Sequence, residues 1–481
     1  MRMLLVVGLI AGLMSYSPPF CGAEDWPQFR GPNCSGVAAS SKPLPTDFSF
    51  KDKLRWSVTL GEGIASPIVA GGRVFATAMT GSQKFAIICL DGPSGKILWK
   101  RELDTGPLPK ITPPNSYASS TPATDGERVY VYFTTLGLIA LDVADGKQAW
   151  RLPLPKPAYL MDWGAATSPI VFRNLVILNQ DDDLNPYLIA VDKHTGKQRW
   201  RTERPDMLAG YATPLVCAAN GRADIVVAGT GKMKGYDPQT GSELWTCNTL
   251  LRTIMTTPVV KDGVIYIAVQ SYGDEKRILK FALLEWLDTN QDGKLTKDEV
   301  PKEFWDRFDR SDRDHNGVLE GDELDHAFQS PTNMAGGGSI IQAIKGGGAG
   351  DVTKTHLLWN LKNRSPSNLS SPIVVGDQLL VVKEGGLSSS FDIATGKAHW
   401  ELQRIRNFGR YFASPVAGDG KIFVTGENGF VVVLAQGPKL KILGRNDIGG
   451  ACIATPAIAD GCLYFRTREK LICIGHERTG Q

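Results

Sequence analysis

Residues 121–154 read TPATDGERVYVYFTTLGLIALDVADGKQAWRLPL. Pro122 opens a short strand at a position where a missing N–H is tolerated. Asp125-Gly126 makes a tight turn, and the apolar residues around Val129–Tyr132 alternate as they do in a strand. A third strand follows at Leu138–Leu141, then a turn through Asp145-Gly146, then a fourth strand carrying Trp150. The unit is a four-stranded antiparallel sheet that cannot bury both faces alone.

The unit recurs along the chain. Asp-x-x-x-Gly-x-x-x-Trp appears five times, as Asp91–Gly95–Trp99, Asp142–Gly146–Trp150, Asp192–Gly196–Trp200, Asp237–Gly241–Trp245 and Asp392–Gly396–Trp400. Ser-Pro or Thr-Pro before apolar residues appears eight times, at Pro67, Pro122, Pro169, Pro214, Pro258, Pro372, Pro415 and Pro456. The spacings are 55, 47, 45, 44, 114, 43 and 41 residues, so one interval holds an insertion of about 70 residues. The last unit, TPAIADGCLYFRTREKLICIG, stops one strand short, and KLRWSVTL with Trp56 precedes the first marker. An N-terminal strand that completes the last unit closes the array into a ring and removes its edges. The expected fold is all-β: an eight-bladed β-propeller with a small α-helical insertion. In this reading the tryptophans pack between blades, Gly supplies the turn and Asp the local hydrogen bonds.

ALDVADGKQAW (140–150), AVDKHTGKQRW (190–200), SFDIATGKAHW (390–400) and the opening DWPQFRGPN (25–33) resemble the pyrroloquinoline-quinone (PQQ)-like β-propeller family. The resemblance covers the mature chain apart from the insertion. It implies the fold more than an activity, because the family includes quinoprotein alcohol dehydrogenases and a non-enzymatic outer-membrane assembly factor.

Arg2, the apolar run Met3–Met14 and Cys21-Gly22-Ala23 predict a signal peptide over 1–23 that is cleaved before Glu24. Pro19 and Phe20 stand where small residues precede a lipidated cysteine, which argues against attachment at Cys21. No later stretch is apolar enough for a transmembrane helix, so the expected location is periplasmic or extracellular. The parts expected after cleavage are a propeller over 24–270, an insertion over 271–338 and the rest of the propeller over 339–481. Seven cysteines remain in that mature chain. Cys89 and Cys473 sit at matching positions of matching strands, and the set reads as small buried hydrophobes, with a Cys452–Cys462 disulfide as the alternative. Net charge is +3, but residues 285–325 hold 14 acidic and 6 basic side chains, leaving about +11 elsewhere. No Lys/Arg run points to nucleic acid.

The insertion carries the clearest chemistry. Asp288, Asn290, Asp292, Lys294, Thr296 and Glu299 occupy positions one, three, five, seven, nine and twelve of an EF-hand loop, with Gly293 at six. Asp312, Asp314, Asn316, Val318, Glu320 and Glu323 repeat the pattern around Gly317. Calcium needs such a flexible cage of hard oxygens; Lys294 and Val318 would contribute carbonyls. Leu295 and Leu319, at position eight, are placed to pair across the loops. Twelve residues separate Glu299 from Asp312, room for one shared helix starting near Pro301. Its aromatic face of Phe304, Trp305 and Phe308 would dock on the propeller, which fits a structural calcium role.

Strand order sorts the connections. First-to-second and third-to-fourth turns share one face and are tight, while second-to-third connections, QDDDLNP among them, and blade crossings share the other. The insertion replaces a second-to-third connection, so it projects from the crossing face. Tyr117, Asp162, Trp163, Tyr211, Arg252, Arg364, Arg410 and Tyr411 are expected there, as a rim for a carboxylated ligand or a polypeptide. Asp162 beside Trp163 is the best base-and-stacking pair available.

Two functions follow. One is an exported calcium-binding scaffold with no catalytic residues, whose partner is a protein or a cell-envelope component. The other is a dehydrogenase that uses PQQ and Ca²⁺. The family pattern implies a Cys-Cys pair beside the quinone, and this chain has neither that nor a Cys-x-x-Cys-His haem site. The binding module is preferred, and PQQ stays as the alternative cofactor.

Overall fold

The computed structural model describes residues 25–39, 42–271, 283–284, 287–328, 337–364, 366–367, 369–406 and 409–476. The expected leader, residues 1–23, lies outside them. Eight antiparallel sheets form the body, each with its strands in simple neighbour order. Blades 1 to 7 occupy 68–104, 123–152, 170–203, 215–247, 259–362, 373–404 and 416–447. Blade 8 takes three strands from 457–475 and its outer strand, Leu54–Thr59, from the other end of the chain. Trp56 lies opposite Cys473 and Val58 opposite Leu471. The ring is closed as expected.

Five junctions between adjacent blades are locked by an indole on a turn. Trp99 of blade 1 donates its Nε1–H to the Val143 carbonyl of blade 2 at 2.9 Å, and Trp150 does the same to Lys193 of blade 3 at 2.9 Å. A Cβ at Gly146 would stand 2.6 Å from Trp99, and one at Gly196 2.6 Å from Trp150. The motif glycine thus serves two constraints, a φ of about 70° in its own turn and a close approach by the preceding blade's indole. Trp56 closes the ring the same way, donating to the Gly92 carbonyl at 2.8 Å with its ring against Gly95. Trp359 of blade 5, outside the five motif copies, does so onto Ile393 at 2.9 Å. Opposite each of these indoles the third strand offers a small residue: Cys89, Ala140, Ala343 or Cys473. The motif aspartates cap their turns; Asp192 Oδ1 accepts the N–H of His194 at 3.1 Å and of Thr195 at 2.9 Å.

Trp400 of blade 6 departs from this pattern, donating to Ser388 Oγ of its own blade at 3.2 Å, and so does the junction between blades 4 and 5. Trp245 turns back to Asp224 Oδ2 at 2.8 Å, and Gly350–Asp351 from blade 5 adds a parallel fifth strand to the edge of blade 4. The third-to-fourth connection of blade 5, residues 346–356, is too long to form the usual indole platform, so the edge is covered by pairing instead.

Cys452 carries a free thiol. A Cys452–Cys462 disulfide is therefore not formed. Cys452 is fully buried, its thiol 3.3 Å from the Arg466 carbonyl, and burial pushes it up to about 12. Buried thiols of this kind pack as small hydrophobes.

The insertion leaves blade 5 between Val264–Ser271 and Gly338–Lys345, the second and third strands, which pair with each other. Inside it, Leu295 pairs with Leu319 and Thr296 with Val318. A 3₁₀ turn, Lys302–Phe304, runs into an α-helix, Trp305–Ser311. Phe304 and Phe308 are buried with Leu295, Leu319 and Leu324, and Leu160 from the crossing between blades 2 and 3 joins the same cluster. The aromatic face is thereby docked on the propeller. Trp305 stays at its margin, donating to the Lys297 and Val300 carbonyls, each at 3.1 Å.

Trp150→Ala should lower stability by about 3–5 kcal/mol in urea unfolding. Gly196→Ala should also destabilise, and its cost should shrink in the Trp150→Ala background, giving a coupling of about 0.5–3 kcal/mol in a double-mutant cycle. Additive effects would mean the indole and the turn act independently.

Candidate functional site

Each blade begins with Ser or Thr before its marker proline, and these eight residues, Ser66, Thr121, Ser168, Thr213, Thr257, Ser371, Ser414 and Thr455, face the axis around a cavity of about 300 Å³. They also bond to one another. The N–H of Ser66 donates to Thr121 Oγ1 at 3.1 Å, and that of Thr121 to Ser168 Oγ at 3.0 Å. The chain resumes from Thr213 to Thr257, Ser371, Ser414 and Thr455, each bond 3.0–3.1 Å long. Proline next in sequence brings no N–H to the first strand, so the hydroxyl belt is what joins neighbouring first strands near the axis. In the sequence the prolines mark the repeat, but the hydroxyl residues before them are the ones that face the axis. The signal was an oxygen-bearing side chain at all eight copies.

One end of the axis is covered by the N-terminal segment. Trp26 N–H donates to Val69 of blade 1 at 2.7 Å, and Thr124 of blade 2 donates to Pro27 at 2.8 Å. Asn33 exchanges two 2.8 Å bonds with Val216 of blade 4, Arg30 Nη2 reaches the Pro372 carbonyl of blade 6, and Ala38 donates to Ala417 of blade 7 at 2.8 Å. Phe29 of this segment lines the cavity floor. The cavity is a cup that opens among the crossing loops, where Pro113, Asn115, Trp163, Tyr211, Met255 and Phe412 form its mouth.

Among the described residues, none that lines the cup is an acid, a lysine, an arginine or a histidine. Charge lies behind the walls. Arg30 and Arg466 are fully buried, burial lowers each to about 10, and both keep an Nε and an Nη1 without a hydrogen-bond partner. Asp181 and Arg204 form a buried bidentate pair, 2.7 and 2.8 Å, that ties the blade 3 loop to Tyr236 of blade 4. Such a pair fixes geometry, and losing one partner strands the other charge.

The expected rim divides. Trp163 and Tyr211 line the cup, their rings 6.2 Å apart, and Tyr159 stacks on Tyr211 at 5.5 Å. Asp162 and Tyr117 line a separate recess of about 60 Å³, with Asp162 paired to Lys110 at 3.1 Å, so Asp162 and Trp163 face different spaces. A left-handed φ of 52° at Asp162 produces that divergence. Arg252 is buried, and burial lowers it to about 10. Tyr411 is fully buried beside Arg30. Arg364 pairs with Glu401 at 2.9 Å on the surface, and Arg410 is exposed.

The two acidic loops share one backbone course. Gln291 and His315 take φ near 60°, followed by Gly293 and Gly317 at 78° and 81°. Asp288 accepts the N–H of Asp292 at 3.2 Å and of Gly293 at 2.9 Å; Asp312 accepts those of Asn316 at 3.1 Å and Gly317 at 2.9 Å. Donor oxygens of Asp312, Asp314 and Glu323 lie within 4.8 Å of one another. In the first loop Glu299 accepts from Thr289 and Thr296, at 3.0 and 2.9 Å from their N–H groups. Asn290 and Asn316 also turn side chains inward, Asn290 onto Asp292 at 3.1 Å and Asn316 onto Asp314 at 3.0 Å. The carbonyl-supplying positions, Lys294 and Val318, flank the Leu295–Leu319 bridge; Lys294 Nζ pairs with Glu320 at 2.6 Å.

The sequence matches the family of outer membrane protein assembly factor BamB over residues 49–163, 83–311 and 322–481. The chain belongs to this family of PQQ-like propellers. It is 25% identical to BamB of Yersinia pestis over 287 residues, 55% of this chain and 66% of that one. It is 29% identical to quinohemoprotein alcohol dehydrogenase ADH IIB of Pseudomonas putida over 140 residues, 28% of this chain and 19% of the enzyme. The matches thus span two thirds or less of these relatives' lengths. Among solved structures, BamB from Moraxella catarrhalis aligns at TM-score 0.56 and 16% identity over 89% of this chain and 98% of that one, a likeness of fold.

Thr121→Val should cost about 1–3 kcal/mol, because the Ser66 N–H loses its acceptor inside the ring. Asp181→Ala should cost about 3–5 kcal/mol by stranding Arg204, and both losses are readable as urea midpoints. A neutral Asp181→Ala would mean that water or another acceptor already serves the guanidinium.

Proposed function

We propose that this protein is an exported, calcium-binding propeller that binds a protein or cell-envelope component and carries out no reaction of its own. The observation that carries this reading is the uncharged lining of the axial cup. A site for acid–base or nucleophilic chemistry needs titratable groups in reach of one another, and the cup presents hydroxyls, aromatics and aliphatics. Membership of the BamB family and the relatives named for outer-membrane assembly favour a cell-envelope location, periplasmic or otherwise exported. Among the described residues no helix is long and apolar enough to cross a membrane.

Calcium is the cation that the insertion suits. Its donor set is hard oxygen throughout: carboxylates of Asp288, Asp292, Glu299, Asp312, Asp314 and Glu323, amide oxygens of Asn290 and Asn316, and carbonyls of Lys294 and Val318. Thr296 and Glu320 sit at the water-bridged ninth position. The closeness of Asp312, Asp314 and Glu323 supports the second loop most directly. Calcium there would hold carboxylates together that repel one another without it, which is a structural role.

The same cup does not suit PQQ. The quinone carries carboxylates, and among the described residues none that lines the cup is a cation to receive them or an acid to hold a calcium ion beside them. The likeness to the Pseudomonas putida enzyme keeps the dehydrogenase reading open to test.

Calorimetric titration of the chelated protein should show two calcium ions bound, and Glu323→Gln should remove one of them. At a calcium concentration about 100 times Kd, the folded state should gain about 2.7 kcal/mol, read as a rise in Tm that EDTA abolishes. Protein mixed with PQQ and Ca²⁺ should show no bound quinone absorbance and no dye-linked alcohol oxidation. Activity in that assay would overturn the binding-module reading.

A further inference from the structure

The helix Trp305–Ser311 joins the two acidic loops, and its ends are tied to both. Glu299, the last ligand of the first loop, is followed by Val300, which is buried in the module core. Asp312, the first ligand of the second loop, is also the C-cap of the helix, its N–H donating to Phe308 at 2.9 Å. Drawing either set of oxygens onto a cation therefore acts on the helix.

Among the described residues, the cluster that buries the face of that helix includes none from the strands of blade 5, where the insertion originates. Phe304 and Phe308 share a cluster with Leu160, against which Ala158, Met161 and Leu184 also pack. Arg307 lies beside the carboxylates of Asp182 and Asp183. Those carboxylates in turn hold the crossing between blades 2 and 3, accepting the N–H of Ala158 at 3.0 Å and of Leu160 at 2.9 Å. Glu303 reaches the recess lined by Tyr159 and Asp162. Three residues beyond Leu160 the same crossing places Trp163 in the mouth of the cup, and Tyr159 stacks on Tyr211 there.

We infer that calcium binding in the insertion is coupled to the mouth of the axial cup through residues 158–163. The helix braces the crossing by apolar contact at Leu160 and by charge at Asp182 and Asp183. Calcium sets the brace, and the brace sets Tyr159 and Trp163. By linkage, whatever occupies the cup between Trp163 and Tyr211 must alter calcium affinity by the same factor. The inference rests on the calcium reading above, because without the ion there is nothing to set the helix.

Backbone hydrogen exchange on the full chain, with calcium and with chelator, tests it alongside calorimetry. Exchange across 155–165 should slow about 5-fold or more with calcium, while the blade 7 strand Lys421–Thr425, far from the insertion, should not change. Leu160→Ala should weaken calcium binding about 5-fold and remove the protection. Asp183→Asn, which keeps an acceptor for the Leu160 N–H, should reduce both effects in the same direction and covers the case in which Leu160→Ala fails to fold. Leu358→Ala, on the exposed outer strand of blade 5, should leave both unaltered. If calorimetry shows calcium bound and exchange across 155–165 stays the same, the coupling is overturned and the calcium sites stand. If no calcium binds, the sites themselves are overturned and the coupling with them.

Discussion

The structure depends on an indole laid against a turn that has no Cβ. Trp56, Trp99 and Trp150 each cross a blade boundary, donate one hydrogen bond to the next blade and rest on its motif glycine. Each contact is local in space, and the same contact recurs from blade 3 to blade 4 through Trp200 and from blade 5 to blade 6 through Trp359. Trp56 matters most to the topology. It arrives on a strand from the start of the chain, completes blade 8 and docks on blade 1, so a single segment supplies both the last sheet's edge and the last inter-blade contact.

The first strand of each blade is the inner edge of its sheet and lines the axis, and variation falls on the face of the crossings and second-to-third connections. That is why blade 5 accepts an insertion between its second and third strands while those strands stay paired along their length. The hydroxyl belt joins the first strands inside the ring, and residues 25–38 are stitched to blades 1, 2, 4, 6 and 7 across one end of it. What remains is a cup with one mouth, neutral walls and an aromatic pair at its rim. A cup of that kind selects by shape and hydroxyl donation rather than by charge.

The docking of the insertion links these parts. Its helix lies on the crossing between blades 2 and 3, away from the blade that hosts it, because the buried aromatic face of Phe304 and Phe308 finds Leu160 there. A module that touched only blade 5 would leave the mouth of the cup unaffected.

Much of this was legible in the chain. The eight Ser-Pro and Thr-Pro markers gave blade number, the Asp-Gly-Trp spacing gave turn position, the truncated last unit gave closure, and the paired acidic loops stood out by spacing, because each is written in short-range patterns of residue type. The rim was legible only at Trp163 and Tyr211. Asp162 and Trp163 are neighbours in sequence yet face different spaces, and Tyr411, expected at the mouth, is buried beside Arg30. The path of residues 25–38 and the seat of the helix on Leu160 were also invisible. The sequence by itself determined the repeat, the closed ring and the place of the paired acidic loops, since local hydrogen bonding and strand periodicity impose them. Only the tertiary structure decided what faces the axis and what the insertion leans on, since those follow from backbone φ at single residues and from apolar surfaces meeting across long separations in the chain.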